Sequence, residues 1–328
     1  MTRRPRTIAP LIGLLALVVA GCGGQAAAPA PAPTGTPAPP TATLAPTVAP
    51  TATPVPTPPT AAELEAGALV DIGGRRLFIT CANMAAPGPA VIFEAGLAGD
   101  HTTWEQVLPS AAGLARACSY DRAGLGASDP GPTPRDAAAA AADLAALLRS
   151  AAVPGPYILV AHSFGGLFAR RFAADNPGAV AGMILVDAVH EDWWREALAA
   201  LPPETEGESE RLRGFRRFLS EEVADPARNA EGVDIPAAAE QARVAGDLGS
   251  RPLIVLVAGV PDVLAPGLPP EVEQRLVGLL QRELPQAMAA LSTDSTQIVV
   301  PDSGHNIPRQ RPDMVVLAVQ AVLAAVQQ

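Results

Sequence analysis

Positive charge is scarce in this chain and lysine is absent: all 23 basic residues are arginine, against 33 acidic ones, for a formal net charge of −10. Removing an amino-terminal segment that carries Arg3, Arg4 and Arg6 takes three positive charges from −10 and leaves −13. A surface of that sign repels a polyanion, which argues against nucleic acid as a partner. Cysteine occurs three times and histidine four times, so candidates for a disulfide or a general base are few. The apolar run Ile8 to Ala20 falls well short of the ~20 residues that cross a bilayer as a helix. There is no internal repeat.

What the amino terminus does hold is a three-arginine start, that apolar run, and small residues before Cys22. This is the layout of a secretory signal over residues 1–21. Val19-Ala20-Gly21-Cys22 resembles the lipobox of bacterial lipoproteins, in which the cysteine becomes the lipidated first residue. The resemblance implies a chain exported and anchored in a membrane through Cys22, on the extracytoplasmic side of a bacterial envelope. Residues 22–62 are then almost wholly Pro, Ala, Thr and Gly, a composition that cannot bury enough apolar surface to offset its ordering entropy. They read as a tether that could reach ~100 Å. A core can be built only in residues 63–328, a span that suits one domain.

From Ala68 onward, apolar runs of strand length alternate with helical stretches, the pattern of a mostly parallel sheet covered on both faces. Strands are predicted at Ala68 to Asp71, Arg76 to Cys81, Ala90 to Glu94, Ala117 to Asp121, Tyr157 to Ala161, Gly182 to Asp187, Leu253 to Ala258 and Gln297 to Val300. Gly73-Gly74 joins the first two as a hairpin. Helices are predicted at His101 to Arg116, Thr133 to Ala151, Phe164 to Asn176, Pro270 to Leu291 and Pro312 to Gln327. Residues 188–250 break the alternation with many charges, scattered aromatics and no strand pattern. They read as a helical insertion, placed to act as a lid.

Ala161-His162-Ser163-Phe164-Gly165-Gly166 lies between a strand and a helix. It follows the G-x-S-x-G pattern of a nucleophile elbow, with Ala161 in place of the first glycine. Small residues there let the turn close, and the helix behind the serine points free N–H groups and its dipole at any oxyanion. A serine hydroxyl needs a base, and the base needs an orienting acid. His305, in Asp302-Ser303-Gly304-His305-Asn306 just past the last strand, is the histidine whose loop can return across the sheet edge. Two carboxylates compete for the acid. Asp262 follows the penultimate strand and is favoured; Asp187 ends the strand before it and is the alternative. The Phe164 N–H and, beyond Gly96, the Leu97 N–H are the expected oxyanion donors.

Together these residues resemble the α/β-hydrolase fold superfamily over nearly all of residues 67–327. Ser119-Tyr120-Asp121-Arg122-Ala123-Gly124-Leu125-Gly126-Ala127-Ser128 looks like that family's loop after strand four, with Asp121 and Arg122 as loop braces. Glu94-Ala95-Gly96 departs from the His-Gly that many members carry at the oxyanion loop. The resemblance implies an eight-stranded, mostly parallel sheet with helices on both faces and a helical lid inserted after strand 6. It also implies the strand order 1-2-4-3-5-6-7-8, which sets Cys81 beside Cys118 as a disulfide. The implied activity is that of a serine esterase acting on a small-molecule ester, extending to thioesters or amides, with no metal and no cofactor. Haloalkane dehalogenases and epoxide hydrolases of the same superfamily carry aspartate at the elbow, where this chain has serine. The alternative is a tethered, non-catalytic binding module on the same fold.

Overall fold

The computed structural model describes residues 57–229, 231–261 and 267–327. The expected signal segment, Cys22, most of the expected tether and Asp262 lie outside the described residues. Among the described residues, no helix is long and apolar enough to cross a membrane.

Eight strands form one sheet in the order β1-β2-β4-β3-β5-β6-β7-β8. They are β1 (Ala68–Asp71), β2 (Arg76–Ala82), β3 (Ala90–Glu94), β4 (Arg116–Tyr120), β5 (Tyr157–His162), β6 (Val180–Val186), β7 (Leu253–Ala258) and β8 (Ser295–Val300). The β1–β2 and β2–β4 pairs are antiparallel, and every other pairing is parallel. This is the α/β-hydrolase sheet expected from the sequence.

Strand residues alternate between two buried faces, as a sheet covered on both sides requires. On β5, Leu159 and Ala161 join one core layer with Leu144, Leu147 and Phe172, while Ile158 and Val160 join another with Trp104, Val315 and Val319. The helices behind these layers are α1 (Ala61–Ala66), α2 (Leu108–Ala112), α3 (Ala137–Ser150), α4 (Gly165–Asp175), α5 (Trp193–Ala199), α6 (Glu210–Arg217), α7 (Ile235–Val244), α8 (Pro270–Gly278), α9 (Leu284–Ala289), α10 (Ile307–Gln310) and α11 (Pro312–Val326). Helices α5 to α7 occupy the insertion between β6 and β7, and together with Phe164, Leu167 and Phe168 of the elbow region they form a third apolar cluster.

Two predicted helices are interrupted, each at a proline. The stretch expected to be one helix from His101 is a 3₁₀ turn over His101–Trp104 followed by α2, with Pro109 at the start of the second piece. Proline has no N–H to continue an α ladder but fits the first turn of a new helix. The stretch expected to run unbroken from Pro270 is α8 and α9 joined by a π turn over Leu279–Glu283, immediately before Pro285.

Candidate active site

Strand β5 ends at His162, and Ser163 takes φ 53°, the left-handed region that costs a non-glycine residue energy and is held only by its surroundings. Helix α4 begins two residues later, which turns the chain sharply and leaves Ser163 at the strand-to-helix corner. Ser163 N–H donates to Val186 O at 3.2 Å, and the Ser163 carbonyl accepts from Gly166 N–H and Val189 N–H, both at 3.0 Å. The corner closes only with small neighbours. A Cβ on Gly165 would meet Ala95 O at 2.6 Å, and one on Gly166 would meet Ala188 Cβ at 2.7 Å.

His305 sits in the loop between β8 and α10, with Nε2 3.0 Å from Ser163 Oγ. Its Nδ1 lies 2.6 Å from Asp187 Oδ2. One tautomer serves both contacts: Nδ1–H donates to the carboxylate, and Nε2 accepts from the serine hydroxyl. Asp187 follows β6 at φ 41°, and its second oxygen accepts from Ala258 N–H at 2.8 Å, so the end of β7 fixes the carboxylate plane. The carboxylate on His305 is the one given second place by the sequence; the favoured Asp262 lies outside the described residues. Asp187 follows the end of β6, and the turn at position 187 is what aims its carboxylate at Nδ1.

The two expected oxyanion donors lie on either side of the serine. Phe164 caps α4, and Leu97 lies in the turn after β3. Neither amide has a backbone acceptor among the described residues. The turn packs tightly on the elbow, because a Cβ on Gly96 would stand 3.0 Å from Ser163 Cβ.

A buried ion cluster holds that turn. Arg122 donates to the carbonyls of Ala95 at 2.7 Å and Gly96 at 2.6 Å, and also contacts Glu94. Its other face donates to both oxygens of Glu231 at 2.6 and 2.8 Å, and Glu231 accepts from Ala98 N–H at 3.1 Å. Burial alone would favour the neutral forms. At Arg122 the Glu231 and Glu94 carboxylates together outweigh it and raise the pKa, and Arg122 in turn lowers that of Glu231. At Glu94 burial wins, so its pKa is raised despite Arg122, and the Tyr120 hydroxyl donates to it. Arg122 was expected as a brace; its partner Glu231, 109 positions away in the insertion, has no local sequence signal.

His162 is a second residue that the sequence left without a role. Its Nε2 donates to the backbone carbonyl of His305 at 2.8 Å, and the two rings lie 4.7 Å apart. Burial, reinforced by His305, lowers its pKa to about 4, so it is neutral near pH 7 and holds its proton for the carbonyl. Of the other histidines, His101 Nδ1 bonds Asp121 at 2.7 Å and His190 Nδ1 accepts from Asp192 N–H at 3.1 Å.

A cavity of about 270 Å³ opens beside Ser163 and His305 and is bounded by the insertion and by the α8–α9 region. Trp193, Phe215 and Phe218 of the insertion line it, whereas Trp194 is buried beneath Arg195 and does not. Cys81 and Cys118, directly opposed on β2 and β4, form a disulfide with Cα atoms 4.0 Å apart.

This sheet, with a serine elbow, a histidine loop and an aspartate at its carboxyl edge, defines a class of enzyme scaffold. A model of the alpha/beta hydrolase family matches residues 91–319, and the chain belongs to that family. The uncharacterized protein YqjL of Bacillus subtilis (strain 168) is 26% identical over 251 residues, 76% of this chain and 88% of that one. A vacuolar membrane protein of Saccharomyces cerevisiae (strain YJM789) is 39% identical over 110 residues, which are 32% of this chain but only 17% of the yeast protein. Among solved structures, a thermophilic esterase from Thermogutta terrifontis superposes with a TM-score of 0.52 at 24% identity, over 80% of this chain and 99% of the esterase. The haloalkane dehalogenase DatA from Agrobacterium tumefaciens C58 superposes with a TM-score of 0.54 at 16% identity, over 79% and 96%. These likenesses establish a shared fold and leave the reaction to be argued from the site.

Proposed function

We propose that this hydrolase cleaves carboxylic esters, and less readily thioesters or amides, through an acyl-enzyme on Ser163. One observation carries the reading: the hydrogen-bonded relay from Ser163 through His305 to Asp187. As Ser163 Oγ attacks the carbonyl carbon, its proton passes to His305 Nε2 and Asp187 stabilises the imidazolium. The Leu97 and Phe164 N–H groups receive the oxyanion, each such donor being worth about 3–4 kcal/mol of barrier. The carbon–oxygen bond to the alcohol then breaks, with the His305 proton going to the leaving oxygen. A water, deprotonated by His305, attacks the acyl carbon, and the second collapse returns the proton to Ser163 and frees the acid. A serine at the elbow is acylated by attack on a carbonyl carbon, whereas the aspartate elbow of dehalogenases is alkylated by displacement at a saturated carbon.

A fluorophosphonate probe tests the reading directly. Wild-type protein is expected to label and Ser163→Ala to remain unlabelled. An unreactive wild type would favour a binding module on the hydrolase fold.

We further propose that the chain is exported and anchored through lipid on Cys22, a reading supported by the Val19-Ala20-Gly21-Cys22 motif and the arginine-led apolar run. Metabolic labelling with an alkyne fatty acid should mark the full-length chain and fail in Cys22→Ala. Equal labelling of both would reject it.

A further inference from the structure

Given an acyl-enzyme on Ser163, we infer that the cavity beside it seats the hydrocarbon arm of an uncharged, short- to medium-chain ester and turns away arms that carry charge. Its volume of about 270 Å³ is small, below the ~300–1,000 Å³ of pockets that take drug-sized ligands. Ser163 and His305 border it, so whatever fills it is attached to the reacting carbonyl.

The wall away from the insertion is an apolar stripe: Leu276, Leu280, Leu284 and Met288 all line the cavity, four residues apart. In a plain α-helix of 3.6 residues per turn each such step overshoots by about 40°, and three steps would carry the stripe about 120° off the cavity. The π turn over Leu279–Glu283, with wider i→i+5 bonding, takes that drift back and keeps the four side chains on one face. Pro285 explains its position, because a residue without an N–H cannot donate to residue 281 in an α ladder. The facing wall is built by the same device. A second π turn, Phe218–Glu222, carries Phe218 to the cavity beside Phe215 and Trp193. Two π turns converging on one cavity, each supplying apolar lining, mark it as a shaped surface, since such turns are common at functional sites.

Charge finds little to pair with among the described lining residues: of the two histidines, His305 is held between Asp187 and Ser163, and His190 Nδ1 accepts from Asp192 N–H. Among the described lining residues Asp187 is the sole carboxylate and arginine is absent, and Asp187 is held by His305 and Ala258 N–H. Gln281, which carries no charge, commits one of its two side-chain N–H donors to Ala258 O at 3.0 Å. A carboxylate or ammonium entering this space would be stripped of water without a counter-charge, which is costly.

The test measures kcat/KM of the full-length protein on two series: p-nitrophenyl alkanoates from acetate to dodecanoate, and acetates of alcohols of rising length. In one of them the value should rise about three- to fourfold per methylene before a maximum, the responding series showing whether the arm is acyl or alkoxy. An arm of equal length ending in a carboxylate should be at least about tenfold poorer. Leu280→Trp should lower the ratio of six-carbon to two-carbon turnover in the responding series by about tenfold. Flat profiles in both series, or a preference for the carboxylated arm, would overturn the inference without any variant that must fold. Fluorophosphonate labelling of the same preparation separates the two levels: a flat profile with Ser163 labelled removes the arm assignment alone, and no labelling removes the serine hydrolase reading and the assignment with it.

Discussion

His162 stands next to Ser163 and holds the carbonyl of His305, the histidine bonded to that serine, so one side chain ties the β5 corner to the β8 loop. His162→Ala should lower kcat by roughly 10–100-fold with a smaller change in KM, because a base displaced by a fraction of an ångström loses its alignment. Asparagine at the same place should restore part of the loss by donating to the same carbonyl. Burial lowers the His162 pKa from 6.5 to about 4, so between those values the unfolded chain binds a proton that the folded chain does not. Stability should therefore fall as pH drops from 6.5 towards 4, by about 3 kcal/mol from this group, and denaturation of His162→Asn should show a flatter slope by close to one proton. At the acid, Asp187→Asn should cost about 10⁴-fold in kcat, while Asp262→Asn should stay close to wild type. Ser163 and His305 were legible in the sequence because their spacing to strand ends is itself a pattern. The partner of Nδ1 was not, since two aspartates follow strands in the sequence and no local signal foretells the φ of 41° that turns the Asp187 carboxylate onto Nδ1.

Among the elements, the turn after β3 depends on groups from two separate stretches. Arg122 follows β4, Glu231 belongs to the insertion, and both converge on residues 95–98. Glu231→Ala leaves Arg122 buried without its strongest counter-charge and frees the Ala98 amide, and removing one partner of such a pair costs about 3–5 kcal/mol. Reduced fluorophosphonate labelling rate together with a lower unfolding midpoint is expected. An unchanged labelling rate would mean that the turn is held by Arg122 and the backbone alone. Strand positions were readable from runs of apolar residues bounded by turns, because both sheet faces are buried. The helix interruptions were marked in the sequence by Pro109 and Pro285, yet periodicity alone passes over a proline. It cannot say whether the chain restarts a helix, as before α2, or widens into a π turn, as before α9.

Across the whole molecule, the strand order brings the ends of β5, β6 and β8 to one sheet edge, and with them residues 163, 187 and 305. The same order sets Cys81 opposite Cys118, a pairing that followed from the family resemblance and that no spacing rule would have produced. The disulfide closes a loop over a sequence separation of 37, worth about 3–4 kcal/mol through the unfolded chain. Replacing both cysteines by alanine should lower Tm by roughly 6–15 °C, read by calorimetry on oxidised protein. The insertion was recognisable as helical from its composition, but its bond to the turn after β3 arises only when distant segments fold together. The convergence of Ser163 and His305 is tested most directly by rapid-quench turnover of p-nitrophenyl butyrate followed by peptide mass spectrometry. A burst of about one p-nitrophenol per protein with a butyryl group on Ser163 is expected, as for an acyl-enzyme that accumulates. Turnover that persists in Ser163→Ala, or a butyryl group found on another residue, would contradict it.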